Sequence, residues 1–174
     1  MANRAMIDGL AGHIAGLRRY ALALSGGSRH EAEDLVQDTL ARAIAAAHTF
    51  RPGADPRAWL FSIMHNAFVS GVRGRRMAEQ ELDDDWPDAA PPPQLLRLEA
   101  RDVLAALALL PEPQRAALSL IALEEFSYEE AARVLGVPLG TLMSRLARGR
   151  EALRRIVDGG GAPRPALRVV GGRR

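Results

Sequence analysis

The chain has 174 residues, 48% of them apolar, and a net charge of +2, so it can form one ordinary domain or two small ones with a buried core. It contains no cysteine, which excludes disulfides and cysteine-based zinc sites, and no lysine, which excludes P-loop and lysine Schiff-base chemistry. The N-terminal segment lacks a basic run followed by an apolar stretch, so we expect no secretory signal, and no uninterrupted apolar run of about 18 residues predicts a membrane span. Because Leu and Ala dominate the apolar residues, we expect an all-helical protein. Because neither a signal nor a membrane span is predicted, we expect it to be cytoplasmic and not inserted in a membrane.

Three amphipathic helices are predicted in the first half of the chain. Apolar residues recur at helical spacing over 8–24, and Ser28 with Glu31 forms an S-x-x-E capping box that opens a second helix. Asp55 is a suitable N-cap for a third helix, with Pro56 in its first turn. The second helix is predicted to bury Leu35, Val36, Leu40, Ala43, Ile44 and Ala47, and the third Trp59, Leu60, Ile63, Met64 and Ala67.

The segment DDDWPDAAPPP divides the chain. Its four prolines and four acids disfavour both a helix and a core, so residues 78–94 are predicted to be a flexible, acidic linker. The linker separates a first helical domain, residues 5–77, from a second, residues 95–157. The Gly- and Pro-rich segment 158–174 is predicted to be a disordered tail.

Four helices are predicted in the second domain. One ends before Pro111, and another begins at Pro113 with Leu118, Ile121 and Ala122 facing inward. The remaining two lie in SYEEAARVLGVPLGTLMSRLARGR, the strongest local signal of the chain.

This segment has the pattern of a helix-turn-helix. Ser127 and Glu130 form a second capping box, Gly136 makes a tight turn, and a longer helix follows that carries a net charge of +4 over 139–155. In a helix-turn-helix the second helix enters the major groove, where one arginine–guanine pair contributes about 1–3 kcal/mol of discrimination. The alternative is a basic surface helix with solvated arginines. The residues predicted to form the small core are Leu135, Val137, Leu142 and Leu146, and those predicted to face DNA are Gly140, Thr141, Ser144, Arg145 and Arg148.

Two further segments are weaker signals. AEDLVQDTLARAI places acids on a helix face, which is usually only solvated. In FRPGADPRAWLFSIMHN, an exposed Phe50 in a Pro/Gly loop can stack on an unpaired base, and Asn66 can hydrogen-bond a base edge. The alternative places Trp59 and Phe61 in the core and makes Asn66 an ordinary surface residue.

Taken together and in order, AEDLVQDTLARA, FRPGADPRAWLFSIMHN and LPEPQRAALSLIALEEFSYEEAARVLGVPLGTLMSRLARGRE resemble the extracytoplasmic-function (ECF) sigma factors of bacterial RNA polymerase. The resemblance covers residues 10–156, approximately. It implies two small helical domains, a region 2 bundle of three to four helices and a region 4 with the helix-turn-helix. It also implies a protein that binds core RNA polymerase, directs it to promoter DNA and promotes melting, without a catalytic residue, metal, cofactor or small-molecule substrate. An anti-sigma factor is a further partner that it implies.

The resemblance assigns three groups of residues. The group that binds polymerase is Asp34, Gln37 and Asp38. The group at the −10 element is Phe50, Arg51, Asn66 and Arg73. The group at the −35 element is Thr141, Met143, Ser144, Arg145 and Arg148. The chain departs from the family in SGVRGRRM, which has two glycines where the family is often more continuously basic, and at Met143 and Ala147, which suggest a distinct −35 preference.

Three other functions remain as alternatives. A helix-turn-helix regulator would bind its operator without polymerase, and a sigma-like adaptor would sequester an anti-sigma factor without starting transcripts. An enzyme is disfavoured because the four histidines are dispersed and no HExxH motif or paired-carboxylate pocket is present.

Overall fold

The computed structural model describes residues 9–51, 53–79 and 98–157, and every regular element within them is a helix. This confirms the all-α prediction. The linker predicted for 78–94 is wrong at residues 78 and 79, which continue a helix, and from residue 80 it lies outside the described residues, as does the tail predicted for 158–174. Two short 3₁₀ turns, Ala11–His13 and Ala47–Thr49, accompany the α-helices. The α-helices are α1 (Ile14–Leu24), α2 (Arg29–Ala45), α3 (Pro56–Glu79), α4 (Leu98–Ala108), α5 (Glu112–Ala122), α6 (Tyr128–Leu135) and α7 (Leu139–Val157).

Helices α1, α2 and α3 pack together as the N-terminal domain. The predicted N-caps are present: Ser28 Oγ accepts the backbone N–H of Glu31 at 3.4 Å, and the Asp55 carboxylate accepts that of Arg57 at 2.9 Å. These caps fix where α2 and α3 begin, and so which faces they turn inward. The largest side chains that are almost wholly buried in this domain are Leu17, Tyr20, Leu24, Leu60, Phe61 and Met64.

The predicted apolar stripe of α2 is wrong at one position. Ile44 is 54% exposed, whereas the buried face of the helix consists of Ala32, Val36, Thr39 and Ala43. Thr39 can be buried because its hydroxyl donates to the carbonyl oxygen of Leu35 at 2.7 Å. Since each residue turns a helix by about 100°, Ile44 lies off the face defined by Ala43.

A similar error affects α5, where Ala122 is exposed rather than inward. The buried run there is Ala116 to Leu120, and it includes Ser119. In both helices, small residues lie among those on the buried face. Their apolarity is too weak for the sequence pattern to predict which face of the helix is buried.

Helices α4–α7 form the C-terminal domain. The capping box of α6 is reciprocal, with Glu130 N–H donating to Ser127 Oγ at 3.2 Å and Ser127 N–H donating to the Glu130 carboxylate at 2.8 Å. Gly136 ends α6 in the left-handed conformation, with φ of 63°. The predicted core is confirmed for Leu135, Leu142 and Leu146, which are buried, while Val137 is half-buried.

The two domains also contact each other. Helix α1 packs on α4 and α5, helix α3 packs on α6, and the buried residues of both domains form one continuous cluster. Phe61 from α3 and Phe126 from the turn before α6 meet edge-to-face, with ring centroids 5.1 Å apart. The sequence predicts two domains tethered by a linker and contains no signal for this junction, because loop residues such as Phe126 have no helical periodicity.

Within the C-terminal domain, α5 and α7 approach closely at Gly149. A Cβ at this position would lie 2.6 Å from Leu118 Cδ1 and 3.4 Å from Gln114 Cβ. An added methyl group would have to displace the Leu118 side chain, so glycine allows the arginine-bearing helix to lie this close to α5.

We predict that Gly149→Ala lowers the free energy of unfolding by about 1–3 kcal/mol, because the added methyl group overpacks the α5–α7 contact. Gly140→Ala on the same helix is the matched control, since nothing lies within 4 Å of its Cβ position. It should be neutral or stabilising by about 0.5–1 kcal/mol. Urea denaturation followed by circular dichroism measures both, and equal midpoints for the two variants would contradict the close approach.

A pH prediction concerns His65, which is 7% exposed, with its Nδ1 3.5 Å from the Tyr20 hydroxyl. Burial, assisted by the positive charge of Arg145, lowers the pKa of His65 to about 4. The unfolded chain therefore binds a proton on this imidazole between roughly pH 6.5 and pH 4 that the folded chain does not bind. The folded state should lose stability as the pH falls through this window, by roughly 3 kcal/mol in total.

The test compares unfolding free energies of the parent and His65→Gln from pH 7.5 to pH 4. The difference between them should move in favour of the variant as the pH falls. His48→Gln replaces an exposed histidine and is the control for the substitution itself. A pH profile for His65→Gln parallel to that of the parent would show that His65 is not buried as a neutral group.

Candidate nucleic-acid interface

Helix α7 separates an inward apolar face from an outward polar one. Leu142 and Leu146 are buried, and the candidates Thr141, Ser144 and Arg148 are exposed. Their spacing of three and four residues places these three side chains on one face of the helix. Met143 is 43% exposed beside them, whereas Arg145 is only half-exposed. The helix therefore presents four of the five predicted −35 residues outward.

The arginines of α7 differ in their partners. Arg154 and Arg155 both pair with Glu151 on their own helix, at 3.5 and 3.1 Å. Arg150 donates to the Tyr128 hydroxyl at 3.4 Å. Within the part of the chain that the structure describes, no ion pair or hydrogen bond involves the side chain of Arg148. Its guanidinium is therefore available to an external acceptor.

The start of α7 is favourable for an anion. No acidic residue lies in its first turn, and the positive end of the helix dipole is at this end. Thr141 lies there, exposed; its backbone N–H already donates to the carbonyl oxygen of Pro138 at 3.0 Å, so its hydroxyl is the donor it offers to a phosphate. A helix N-terminus of this kind accepts a phosphate without a further charged residue.

The predicted −10 group lies around the N-terminal half of α3. Phe50 is half-buried rather than fully exposed, because its ring packs on Trp59 with centroids 5.1 Å apart at 61°. Arg51 is exposed in the same loop. Asn66 is exposed and lies seven residues beyond Trp59, which places both on one face of α3 about 10 Å apart along its axis. Loop and helix thus bring an aromatic pair and a base-edge hydrogen-bonding group to one surface.

Arg73 falls another seven residues along α3, on the same helical repeat as Trp59 and Asn66. Its backbone is helical, and its side chain lies outside the described part of the chain.

The predicted polymerase-binding residues lie together on α2, where Asp34, Gln37 and Asp38 are all exposed. Arg42 Nε donates to both carboxylate oxygens of Asp38, each at 2.9 Å, and Asp34 Oδ2 lies 3.2 Å from His30 Nδ1. The face is therefore less negative than its sequence indicates.

Sequence reasoning missed one feature of this face. The exposed Ile44 lies seven residues after Gln37 and so extends the same face with an apolar side chain. Its position could have been found by placing Thr39 rather than Ile44 on the core face of α2.

Across 9–51, 53–79 and 98–157, no group of three or more His, Cys, Asp or Glu residues is arranged to hold a metal ion. None of the helices in these ranges has the length and apolarity that crossing a membrane requires.

Two family matches cover both domains. Residues 10–65 match the family described as the Sigma2 domain of PhyR, and residues 100–153 match Sigma-70, region 4. Among curated proteins, the ECF RNA polymerase sigma factor EcfG of Rhodopseudomonas palustris is 40% identical over 156 residues, which covers 87% of this chain and 86% of that protein. The ECF sigma factor RpoE of Cereibacter sphaeroides is 33% identical over 147 residues, covering 82% and 81%.

Solved structures give the same result. The sigma factor RpoE of Bartonella quintana, in complex with the anti-sigma factor NepR, superposes with a TM-score of 0.77 at 37% identity, covering 88% of this chain and 97% of that one. CnrH, in complex with the cytosolic domain of CnrY, superposes with a TM-score of 0.68 at 30% identity, covering 91% and 90%. The N-terminal domain is thus sigma region 2, the C-terminal domain is sigma region 4, and the chain belongs to the ECF sigma factors of bacterial RNA polymerase.

Proposed function

We propose that this sigma factor brings core RNA polymerase in the cytoplasm to promoters whose −35 element is read by α7 and whose melted −10 element is held at α3. The outward face of α7 supports this most directly, because Arg148 is exposed and unpaired among the described residues, while Thr141 and Ser144 flank it. Arginine can donate to both guanine acceptors in the major groove, and the helix N-terminus can hold a neighbouring phosphate. The chain itself carries out no covalent step.

At the −10 element, we assign base capture to the surface between the Phe50–Trp59 pair and Asn66. Unstacking a base costs a few kcal/mol, and stacking on an aromatic ring returns about 1–3 kcal/mol. Phe50 is already held by Trp59, so less side-chain entropy is lost when a base stacks on it. Arg51 and Arg73 supply positive charge for the backbone of the same strand.

For polymerase, we assign the face of α2 that bears Asp34, Gln37 and Asp38, extended by Ile44. A polar rim beside an exposed apolar side chain is the usual composition of a protein interface. Binding would desolvate Ile44, which is otherwise 54% exposed.

An anti-sigma factor is the second protein partner that we propose. In the Bartonella quintana structure the anti-sigma factor NepR is bound to a similar chain, and in the CnrH structure the cytosolic domain of CnrY is bound. Since this chain has no cysteine, any thiol or zinc sensing would have to occur in that partner.

Run-off transcription with purified core polymerase on candidate promoters tests the proposal as a whole. A gel shift with and without core enzyme separates it from a helix-turn-helix regulator, which would bind DNA tightly alone. An adaptor that sequesters an anti-sigma factor would bind that protein and yield no transcript.

We predict that Arg148→Ala reduces the preference of the holoenzyme for a matched over a scrambled −35 element by roughly 5- to 150-fold, the equivalent of 1–3 kcal/mol. Arg154→Ala is the control on the same helix, because Arg154 is paired with Glu151. Competition binding with the two DNAs measures the preference. If Arg148→Ala weakens binding to both DNAs equally, Arg148 contacts only the backbone.

We predict that Asn66→Ala slows promoter opening about fivefold, the equivalent of a lost hydrogen bond of roughly 1 kcal/mol, and leaves initial binding unchanged. Fluorescence of a base analogue at the −10 element reports opening, and a gel shift at low temperature reports binding. Ser70→Ala is the control, because Ser70 is exposed one turn further along α3. An equal loss in both assays for Asn66→Ala would remove this residue from base capture.

A further inference from the structure

A buried carboxylate lies where the two domains meet. Glu124, in the turn between α5 and α6 of region 4, has a side chain that is only 1% exposed. Arg19 of region 2 donates to both its oxygens, through Nε to Oε1 at 2.9 Å and through Nη2 to Oε2 at 3.0 Å. Arg57, also of region 2, donates to the backbone carbonyl oxygen of Glu124, and its Nη2 lies 3.7 Å from Oε2. Both cationic partners of this carboxylate therefore come from the other domain.

The surroundings of Glu124 are shaped to admit it. A Cβ on Gly16 of α1 would lie 2.6 Å from Glu124 Oε2 and 3.3 Å from the Phe61 ring, so an added methyl group would displace the Glu124 carboxylate from its present position. The Arg57 guanidinium stacks over the Phe126 ring at 4.0 Å. Between Glu124 and Phe126, Glu125 has a φ of 54°, in the left-handed region that non-glycine residues rarely adopt. A strained turn thus directs both Glu124 and Phe126 toward region 2.

A junction of this kind can separate. Burial raises the pKa of the Glu124 carboxyl, and the two guanidinium groups act in the opposite direction, so much of the ionic attraction offsets lost hydration. When the domains part, all three charged groups regain water. The contact is therefore specific to the closed form, in which region 2 and region 4 pack together, and removing either arginine would leave the buried carboxylate poorly compensated.

A chain whose two domains pack together cannot contact the −35 and −10 elements at the same time. The −35 and −10 positions are about 25 base pairs apart, which is on the order of 80 Å of B-form DNA at 3.4 Å per base pair. Here α3, with the −10 residues, packs directly against α6 of the helix-turn-helix. Arg145 is half-exposed and is close enough to His65 of region 2 for its charge to lower the pKa of that histidine. The two DNA-facing helices must move apart before both elements can be engaged.

We propose that the contact of Glu124 with Arg19 and Arg57 is a latch that keeps region 2 and region 4 of the free sigma factor packed together. Binding to core polymerase must break this contact. This inference rests on the proposed function, because it assigns the open form to the polymerase-bound state. The latch sets the fraction of free chains in the open form, which is the form that binds polymerase. Weakening the latch should therefore raise the apparent affinity for core enzyme.

The closed form can be tested without any activity assay. The chain has no cysteine, and a Cβ at Gly26 of region 2 would lie 3.7 Å from Ala108 Cβ of region 4, within the range of disulfides. Gly26→Cys with Ala108→Cys should therefore cross-link on mild oxidation of the free protein. The matched control is Gly27→Cys with Ala108→Cys, since Gly27 also has a positive φ but nothing within 4 Å of its Cβ position.

The latch itself is tested in the Gly26→Cys, Ala108→Cys background. Arg19→Ala and Gly16→Ala should each slow the cross-linking several-fold. Arg18→Ala should not, because Arg18 pairs with Glu33 inside region 2, and neither should Gly12→Ala, whose Cβ position is unobstructed. Equal rates for the Gly26 and Gly27 pairs would overturn the closed form. Unchanged rates for Arg19→Ala and Gly16→Ala would overturn the latch.

Run-off transcription then tests the consequence. The oxidised Gly26→Cys, Ala108→Cys protein should lose at least tenfold in transcript yield, and a reducing agent should restore it. Full activity of the cross-linked protein would overturn the proposal that polymerase must open the chain. If both the parent and the reduced double-cysteine protein fail to transcribe, the proposed function is contradicted. The cross-linking rates would still test the latch, because they do not depend on transcription.

Discussion

The contact between Glu124 and the two arginines of region 2 is the constraint on which the arrangement of this molecule depends. A carboxylate with a 1% exposed side chain is tolerated only when cationic donors reach it, and both donors come from the other domain. Gly16 leaves the space, and the turn through Glu125 supplies the direction. One loop of five residues thereby holds region 4 against region 2.

The size of the domains explains why such a junction is useful. Each domain has on the order of 60–70 residues, a size at which a single core is only marginally stabilising. Many buried residues are alanines, which bury little area each. Packing Phe61 on Phe126 adds apolar burial that neither domain has alone. Polymerase and promoter would have to offset the loss of that contact on opening, which couples activation to the presence of both partners.

Sequence patterns predicted the local parts of the fold well, for physical reasons visible in particular residues. The caps at Ser28, Asp55 and Ser127 and the left-handed Gly136 act within four residues of themselves, so spacing alone reveals them. The rotation of α2 was predicted less well. Ile44 is the more apolar residue, yet Thr39 is buried because a hydroxyl can satisfy itself on its own helix. Helical periodicity contains no information about that local bond.

The candidate site also has some features that the sequence predicts and others that depend on tertiary contacts. Residues that face outward from a helix, such as Asn66 and Arg148, follow from periodicity and from resemblance to the family. The half-burial of Arg145 and the packing of Phe50 on Trp59 do not, because they depend on neighbours distant in the chain or in another element.

By itself, the sequence determined an all-helical chain, its two domains, its helix-turn-helix and its membership of the sigma factors, since all of these are written in short-range spacing and in motif order. The tertiary structure alone decided that the domains close on each other. Arg19 and Glu124 are 105 positions apart, and no local pattern can pair two charges across that separation. Such a pairing depends on where the chain places two surfaces in space, and only the folded structure shows it.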